Sequence, residues 1–411
     1  MTALAPPIRL RLAAGAPLCG ATAVAGVAAA VAVTRLTSGT DHSPISPADP
    51  SLRALWIGGL ALALIAYLGA IFLSRRLPVP LVPVLVTALA IQAAPLASPL
   101  LFSHDAHVYW DYGRLAAVHH ANPFTVQPNA FPGDPAYPLM GANWHETTSA
   151  YGPLWIGVAA AHASVVGTSA RAAALGYKLI AFLGVLVLVG AAVALARNRA
   201  GAAVFLGWNP LLALHFSGGG HNDAWMMAFT LLGIQALRRG SRASGLAWAA
   251  AVAVKWLPLI FLPQIAAARR LRLPWRDLAV GFAVAALVST LAFRLGWLEA
   301  VLPIKSQLGR ASSTSIPDWV ARTAGVPVRP VTLGFTAAFA AAYCLLLRHA
   351  WRTGRARLAL TAGLLLLSVS WLTPWYATWP LALAAVEEDD GLGRGLALAL
   401  TAYLLRDAVQ L

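Results

Sequence analysis

A chain of 411 residues that is 59% hydrophobic and only 11% charged lies too far from the globular average to be an ordinary soluble protein. Its net charge of +15 could suit nucleic acid, but the basic residues stand in short clusters between hydrophobic runs. That pattern belongs to cytoplasmic loops facing anionic lipid headgroups, so the reading is membrane lipids as partners and no nucleic acid. Cys19 and Cys344 both lie in apolar runs, which supports neither a disulfide framework nor a Cys metal site.

The first apolar run follows Arg9 and Arg11 with no convincing small-residue cleavage site, so Leu18–Val33 is read as a retained helix. The sequence predicts helix one at about 17–34, with a cytoplasmic N-terminus. An external loop, Thr37 to Ser51, carries no Lys or Arg. Helix two (about 54–73) returns to Arg75-Arg76 inside. Helix three (about 80–102) then delivers a long polar stretch, 103–150, to the outer face. This stretch holds five of the ten histidines together with Asp, Tyr, Trp, Asn and Pro. Lipid cannot satisfy the backbone of such a loop, so it lies in water or lines a protected cavity, and loops of this kind carry chemistry.

After the loop, Leu154–Val166 is short and Ala173–Ala196 is long enough to span. With Arg197 and Arg199 inside, only one of the two crosses fully, and the first is read as a short or tilted interfacial piece. Two unusual stretches follow. Ala202–Phe216 contains Asn209-Pro210 and runs through three glycines to His221-Asn222-Asp223. Leu246–Ala267 is interrupted by Lys255-Trp256-Leu257-Pro258, with basic clusters on both sides. Such breaks at membrane depth are tolerated where they line a cavity, and the second fits either a pair of half-helices from the cytoplasm or short tilted spans. A helix at about 278–296 leads to a second external loop, 297–330. Helices at 331–347, 358–372 and 393–408 complete the chain, with Glu387-Glu388-Asp389-Asp390 before the last. The expected fold is an all-α integral membrane protein: one domain over 1–411, with about 10–12 membrane segments and a large first external loop.

Several residues could carry chemistry. A helix advances ~100° per residue, so a helical Ser103–Val118 places Asp105, Tyr109 and Tyr112 on one face, and His104, His107 and Asp111 on another. Asp105 is the first choice of acid because it sits at the membrane exit, where a lipid-linked headgroup would lie; the alternative role is a solvated or capping carboxylate. Asp111 is the competing acid. Tyr151-Gly152-Pro153 reads first as a helix start, and Glu146 as either a sugar ligand or an exposed side chain. HETTS at 145–149 lacks the second His of a zincin helix. His221, Asn222 and Asp223 suit a helix cap as well as a ligand role, but ionisable groups beside membrane segments favour function. Lys255, Lys305 and Arg310 are candidate phosphate partners. Trp375, Tyr376 and Trp379 suit either an interfacial belt or a sugar-stacking platform. The sequence leaves a divalent metal open, since it presents no compact ligand cluster.

In their order, SHDAHVYWDYGR, NPF, YGPLW, NP with GGGHNDAW, VKWLP and TPWY resemble the actinobacterial polyprenyl-phosphate-mannose-dependent mannosyltransferases, over about residues 100–380. The resemblance implies a GT-C-like bundle in the plasma membrane. It implies mannosyl transfer from a polyprenyl-phosphate donor to a hydroxyl of a glycan or glycolipid acceptor on the extracytoplasmic face, with inversion. Asp105 would be the general base and Lys255 the membrane lysine, with His221, Asn222 and Asp223 as the HND motif. Asp111, a second acid in WDYG, departs from the pattern and keeps the assignment of the base open. The near alternative is an arabinofuranosyltransferase using the corresponding donor. A transporter or flippase would also use broken helices, but the paired interruptions of internal repeats are not evident.

Overall fold

The computed structural model describes residues 6–37, 49–268, 273–303 and 310–409. Helix α1 (Pro6–Thr37) is joined to α2 (Pro50–Ser74), whose N-terminus is capped by the Asp49 carboxylate accepting from the Ser51 and Leu52 amides. Helix α3 (Leu81–Ala93) is shorter than the sequence suggests. Pro95 and Pro99 cannot donate to a helical ladder, so the chain tightens into a 3₁₀ turn at Ala94–Ala97 and then extends to Ser103. Helix α4 (Asp105–Ala117) begins the long polar loop.

Helices α5 (Pro153–Val166) and α6 (Ala170–Leu195) follow the loop. Of the two, only α6 is long and apolar enough to cross a membrane, and α5 has 14 residues. Helix α7 (Arg199–Gly207) ends at Trp208, and Asn209 caps α8 (Pro210–Leu212), which passes into a π-helical turn at Ala213–Gly218. Helix α9 (Asp223–Arg238) then leads to α10 (Ala243–Val254). At Lys255 the backbone is extended (φ −160°, ψ 140°), and Pro258 starts a 3₁₀ turn before α11 (Leu262–Ala268). Arg238 and Ala268 line one cavity, so α10 and α11 leave and return to the same end of the bundle with Lys255 at the turn.

Helix α12 (Trp275–Phe293) and the 3₁₀ segment Arg294–Val301 precede α13 (Ile316–Ala324) and α14 (Val328–Thr353). Helix α15 (Leu358–Ser368), α16 (Thr378–Val386) and α17 (Gly391–Leu405) close the bundle. Among the described residues, five helices, in α1, α2, α6, α12 with its extension, and α14, reach the length and apolarity of a span, and the other apolar helices are shorter. The architecture is a polytopic membrane helical bundle.

Its two ends differ in chemistry. At the basic end, Glu387 accepts from the Leu358 and Ala359 amides at 2.9 Å each and so caps α15. Asp390 pairs with Arg357, and Glu388 and Asp389 pair with Arg197. The acidic run therefore locks three basic-end segments together. The opposite end carries the 103–150 loop.

Candidate active site at the loop end of the bundle

Local packing fixes where α4 points. Gly113 lies against α5 so closely that a Cβ there would sit 2.2 Å from the Ala159 carbonyl oxygen. Gly152 meets the end of α10 in the same way: its amide donates to the Val254 carbonyl at 3.0 Å, and a Cβ would fall 2.1 Å from the Ala253 oxygen. Pro153 then opens α5, supplying a preset φ where no amide donor is needed. Arg114 clamps the loop back onto α4. Its Nε reaches both Asp134 carboxylate oxygens at 2.8 and 2.9 Å, and its Nη1 donates to the Gly167 carbonyl at 2.7 Å. His119 lies 2.7 Å from the same carboxylate. Burial would raise the Asp134 pKa, but the bonds from Arg114, Ala136 and His119 hold it below the ordinary range.

With α4 held this way, Asp105 stands at its first turn, where the Ser103 hydroxyl accepts the Asp105 amide at 3.1 Å. Phe102, just before, adopts φ +62°, an uncommon backbone for a bulky residue and one that marks a constrained approach to the site. Asp105 is 9% exposed and lines a cavity of about 560 Å³. Tyr112, two helical turns on, lines it too, as do Tyr151, Lys255, Arg310, Trp375 and Tyr376. These candidates, spread from residue 105 to residue 376, share one chamber.

His221, Asn222 and Asp223 are fully buried and stand behind the wall rather than in it. His221 Nδ1 lies 3.3 Å from Asp105 Oδ2, and its ring stacks on Trp375 with centroids 3.6 Å apart. Burial alone would raise the Asp105 pKa, but contact with His221, the Lys255 charge and the Ser103 hydroxyl hold it below the ordinary carboxylate range. Asp223 Oδ1 accepts from Lys255 Nζ at 2.9 Å and from Trp379 Nε1 at 2.7 Å. The Lys255 ammonium sits 4.7 Å from the Tyr376 ring centre, and Tyr376 stacks on Trp379. Tyr109 packs edge-on against Tyr151 and Trp155, turned away from the chamber.

Asp111 belongs elsewhere. It is 2% exposed, on the side of α4 that faces the Arg114–Asp134 clamp, and it does not line the chamber. Burial pushes its carboxyl up to about 7, with Asp134 adding to the rise and Arg114 opposing it. Glu146 lines a neighbouring polar cavity instead, and Lys305 lies outside the described residues. Among the described residues, no group of three or more His, Cys, Asp or Glu side chains is arranged to hold a metal ion. Sequence reasoning passed over Arg114, Asp134 and Asn143, and the bond that ties Trp379 to Asp223. Trp379 stands four residues after Trp375, a spacing that brings two side chains to one helical face.

Residues 10–270 match the model of a family described as alpha-(1->6)-mannopyranosyltransferase, N-terminal domain. The chain belongs to this family. Among its relatives, a probable alpha-(1->6)-mannopyranosyltransferase of Mycolicibacterium smegmatis is 31% identical over 210 residues, 47% of this chain and 37% of that one. The alpha-(1->6)-mannopyranosyltransferase A of Mycobacterium tuberculosis is 27% identical over 336 residues, 71% of this chain and 62% of the relative. That of Corynebacterium glutamicum is 27% identical over 174 residues, 41% of this chain and 35% of the relative. The chain thus covers less than two thirds of each of these relatives. No solved structure matches it. The family match takes in α4, the His221–Asp223 turn and Lys255, but stops short of Arg310 and the aromatic turn at Trp375.

Proposed function

We propose that this protein transfers a mannosyl residue from a polyprenyl-phosphate donor to a hydroxyl of a glycan or glycolipid. The reaction would lie on the extracytoplasmic face of the plasma membrane and invert the anomeric carbon. Family membership supports the mannosyl class. The observation that carries the reading is the chamber holding the Asp105 carboxylate and the Lys255 ammonium on one wall, with Arg310 beside them.

Asp105 takes the proton of the acceptor hydroxyl as its oxygen attacks the anomeric carbon. A new C–O bond forms there, and the bond from carbon to phosphate oxygen breaks. Its electron pair leaves with the polyprenyl phosphate, whose charge faces Lys255 and Arg310. The lowered pKa keeps Asp105 in the deprotonated form that can accept a proton. Leu257, Phe339, Leu365 and Val369 give the chamber an apolar side suited to an isoprenoid chain. His221 orients Asp105, and Asp223 orients Lys255; both are positioning residues.

The test is transfer by the purified protein from polyprenyl-phosphate mannose to membrane lipid extract or a short mannoside. Transfer that Asp105→Asn abolishes and Asp111→Asn preserves supports the assignment. Full turnover in Asp105→Asn overturns it. Ion or lipid translocation without any sugar transfer overturns the enzymatic reading.

A further inference from the structure

A cavity of about 1080 Å³ opens at the basic end of the bundle, and the transfer chemistry makes no use of it. The C-terminal ends of α6, α9, α11, α14 and α16 meet around it. Its floor is apolar, made of the buried side chains of Ile234, Ile265, Leu358 and Leu383. Its rim is charged.

The rim carboxylates are already engaged. Glu387 caps α15, Glu388 and Asp389 pair with Arg197, and Asp390 pairs with Arg357. Three basic side chains of the rim are not so engaged. Arg238 spends one N–H on the Leu195 carbonyl, at 3.2 Å. Among the described residues, the Arg355 guanidinium and the His349 ring make no hydrogen bond or ion pair. Guanidinium donors of this kind suit phosphate oxygens. A free phosphate would use the rim and leave the apolar floor wet, whereas an amphiphile covers both.

Depth points the same way. Trp351, between His349 and Thr353 on α14, is 56% exposed, and Trp275, at the start of α12, is 66% exposed. Exposed indoles at helix ends mark the level of lipid headgroups, and clustered arginines mark the cytoplasmic leaflet.

The geometry points to a binding site for one anionic phospholipid of the cytoplasmic leaflet, with its phosphate on Arg238 and Arg355 and an acyl chain over the apolar floor. Binding here does not depend on the mannosyl-transfer reading. It does reach the chamber mechanically. Helix α14 lines the chamber at Thr336 and Phe339 and this cavity at His349 and Thr353. Helix α11 follows the Lys255 turn and ends here at Ala268, and Tyr343 of α14 donates to the Ile260 carbonyl just before it, at 2.7 Å. The lipid therefore braces the two elements that carry one side of the chamber.

The test uses the full chain in detergent micelles, without donor or acceptor. Native mass spectrometry compares retention of dioleoylphosphatidylglycerol with that of dioleoylphosphatidylcholine. The wild type should hold one phosphatidylglycerol about five-fold more tightly, and Arg238→Gln/Arg355→Gln should bring that ratio close to one. Arg75→Gln/Arg76→Gln removes the same charge at the same end, outside the cavity, and should leave the ratio unmoved. Should the first pair fold poorly, as judged by thermal unfolding, Arg355→Gln alone should lower the ratio about two-fold. Phosphatidylglycerol should also slow hydrogen exchange at residues 346–353 in the wild type and not in Arg238→Gln/Arg355→Gln. Equal retention of the two lipids by the wild type, or equal loss of preference in both variant pairs, overturns the site. Inorganic phosphate that raises the unfolding temperature as much as phosphatidylglycerol does makes this a free-phosphate site and overturns the lipid assignment.

Discussion

At the scale of residues, two carboxylates six positions apart have been given opposite surroundings. Asp105 faces a chamber beside two cationic side chains; Asp111 faces protein. Removing a general base costs about 100- to 10,000-fold in rate, so Asp105→Asn should lower kcat by that much in the transfer assay while the protein still folds. Because Asp105 is held ionised below the ordinary range, kcat/KM should lose no activity to this group until the pH falls below about 4. For Asp111 the sign reverses. With a folded pKa of about 7 against roughly 3.9 when unfolded, it keeps a proton that the unfolded chain releases, so stability declines as pH rises between those values. Asp111→Asn should keep turnover, remove that slope, and raise the unfolding midpoint at pH 8. Lys255→Met strands the buried Asp223 charge and should cost both stability and turnover. Adding Asp223→Asn should recover stability alone. The face shared by Asp105 and Tyr112 was legible because seven residues make almost two whole helical turns. The roles of His221 and Asp223 were not, because which side of a wall a residue stands on is decided by its neighbours. The partners that matter, Trp375 and Lys255, lie 154 and 32 residues away from them.

Among the elements, α4 owes its aim to contacts no periodicity reveals. Gly113→Ala and Gly152→Ala would each push a methyl into a carbonyl, and both should lower the unfolding temperature and turnover together. Arg114→Ala leaves the buried Asp134 carboxylate with His119 and one amide, a change expected to cost about 3–5 kcal/mol in reversible unfolding. Helix positions were readable wherever an apolar run was uninterrupted, as in α2 and α6. They failed where proline intervened, at Pro95 and Pro99, and at Ser368, where α15 stops short of the expected residue 372. The break at Lys255 was visible as Lys-Trp-Leu-Pro in an apolar run, but that its charge meets Asp223 on the preceding broken segment was not.

For the whole molecule, the alternation of basic clusters with apolar runs already implies a two-ended bundle. The acidic run at 387–390 falls at the basic end, where it pairs with Arg197 and Arg357. Sidedness in the cell follows as a prediction. In a variant lacking Cys19 and Cys344, Asn129→Cys should react with a membrane-impermeant maleimide on intact cells, and Arg352→Cys should react only after permeabilisation. The reverse pattern would put the chamber on the cytoplasmic face.

Helix α14 supplies Thr332, Thr336 and Phe339 to the chamber, yet only Thr332, Leu346 and Ala350 along its whole length are buried. One side of the chamber is thus a helix whose outer face the rest of the described chain leaves uncovered, and in a bilayer that face would lie against acyl chains. Bilayer thickness then becomes a kinetic variable. In nanodiscs of graded chain length, donor KM and product release should shift together, whereas a Cys pair pinning α14 to α15 should flatten the response.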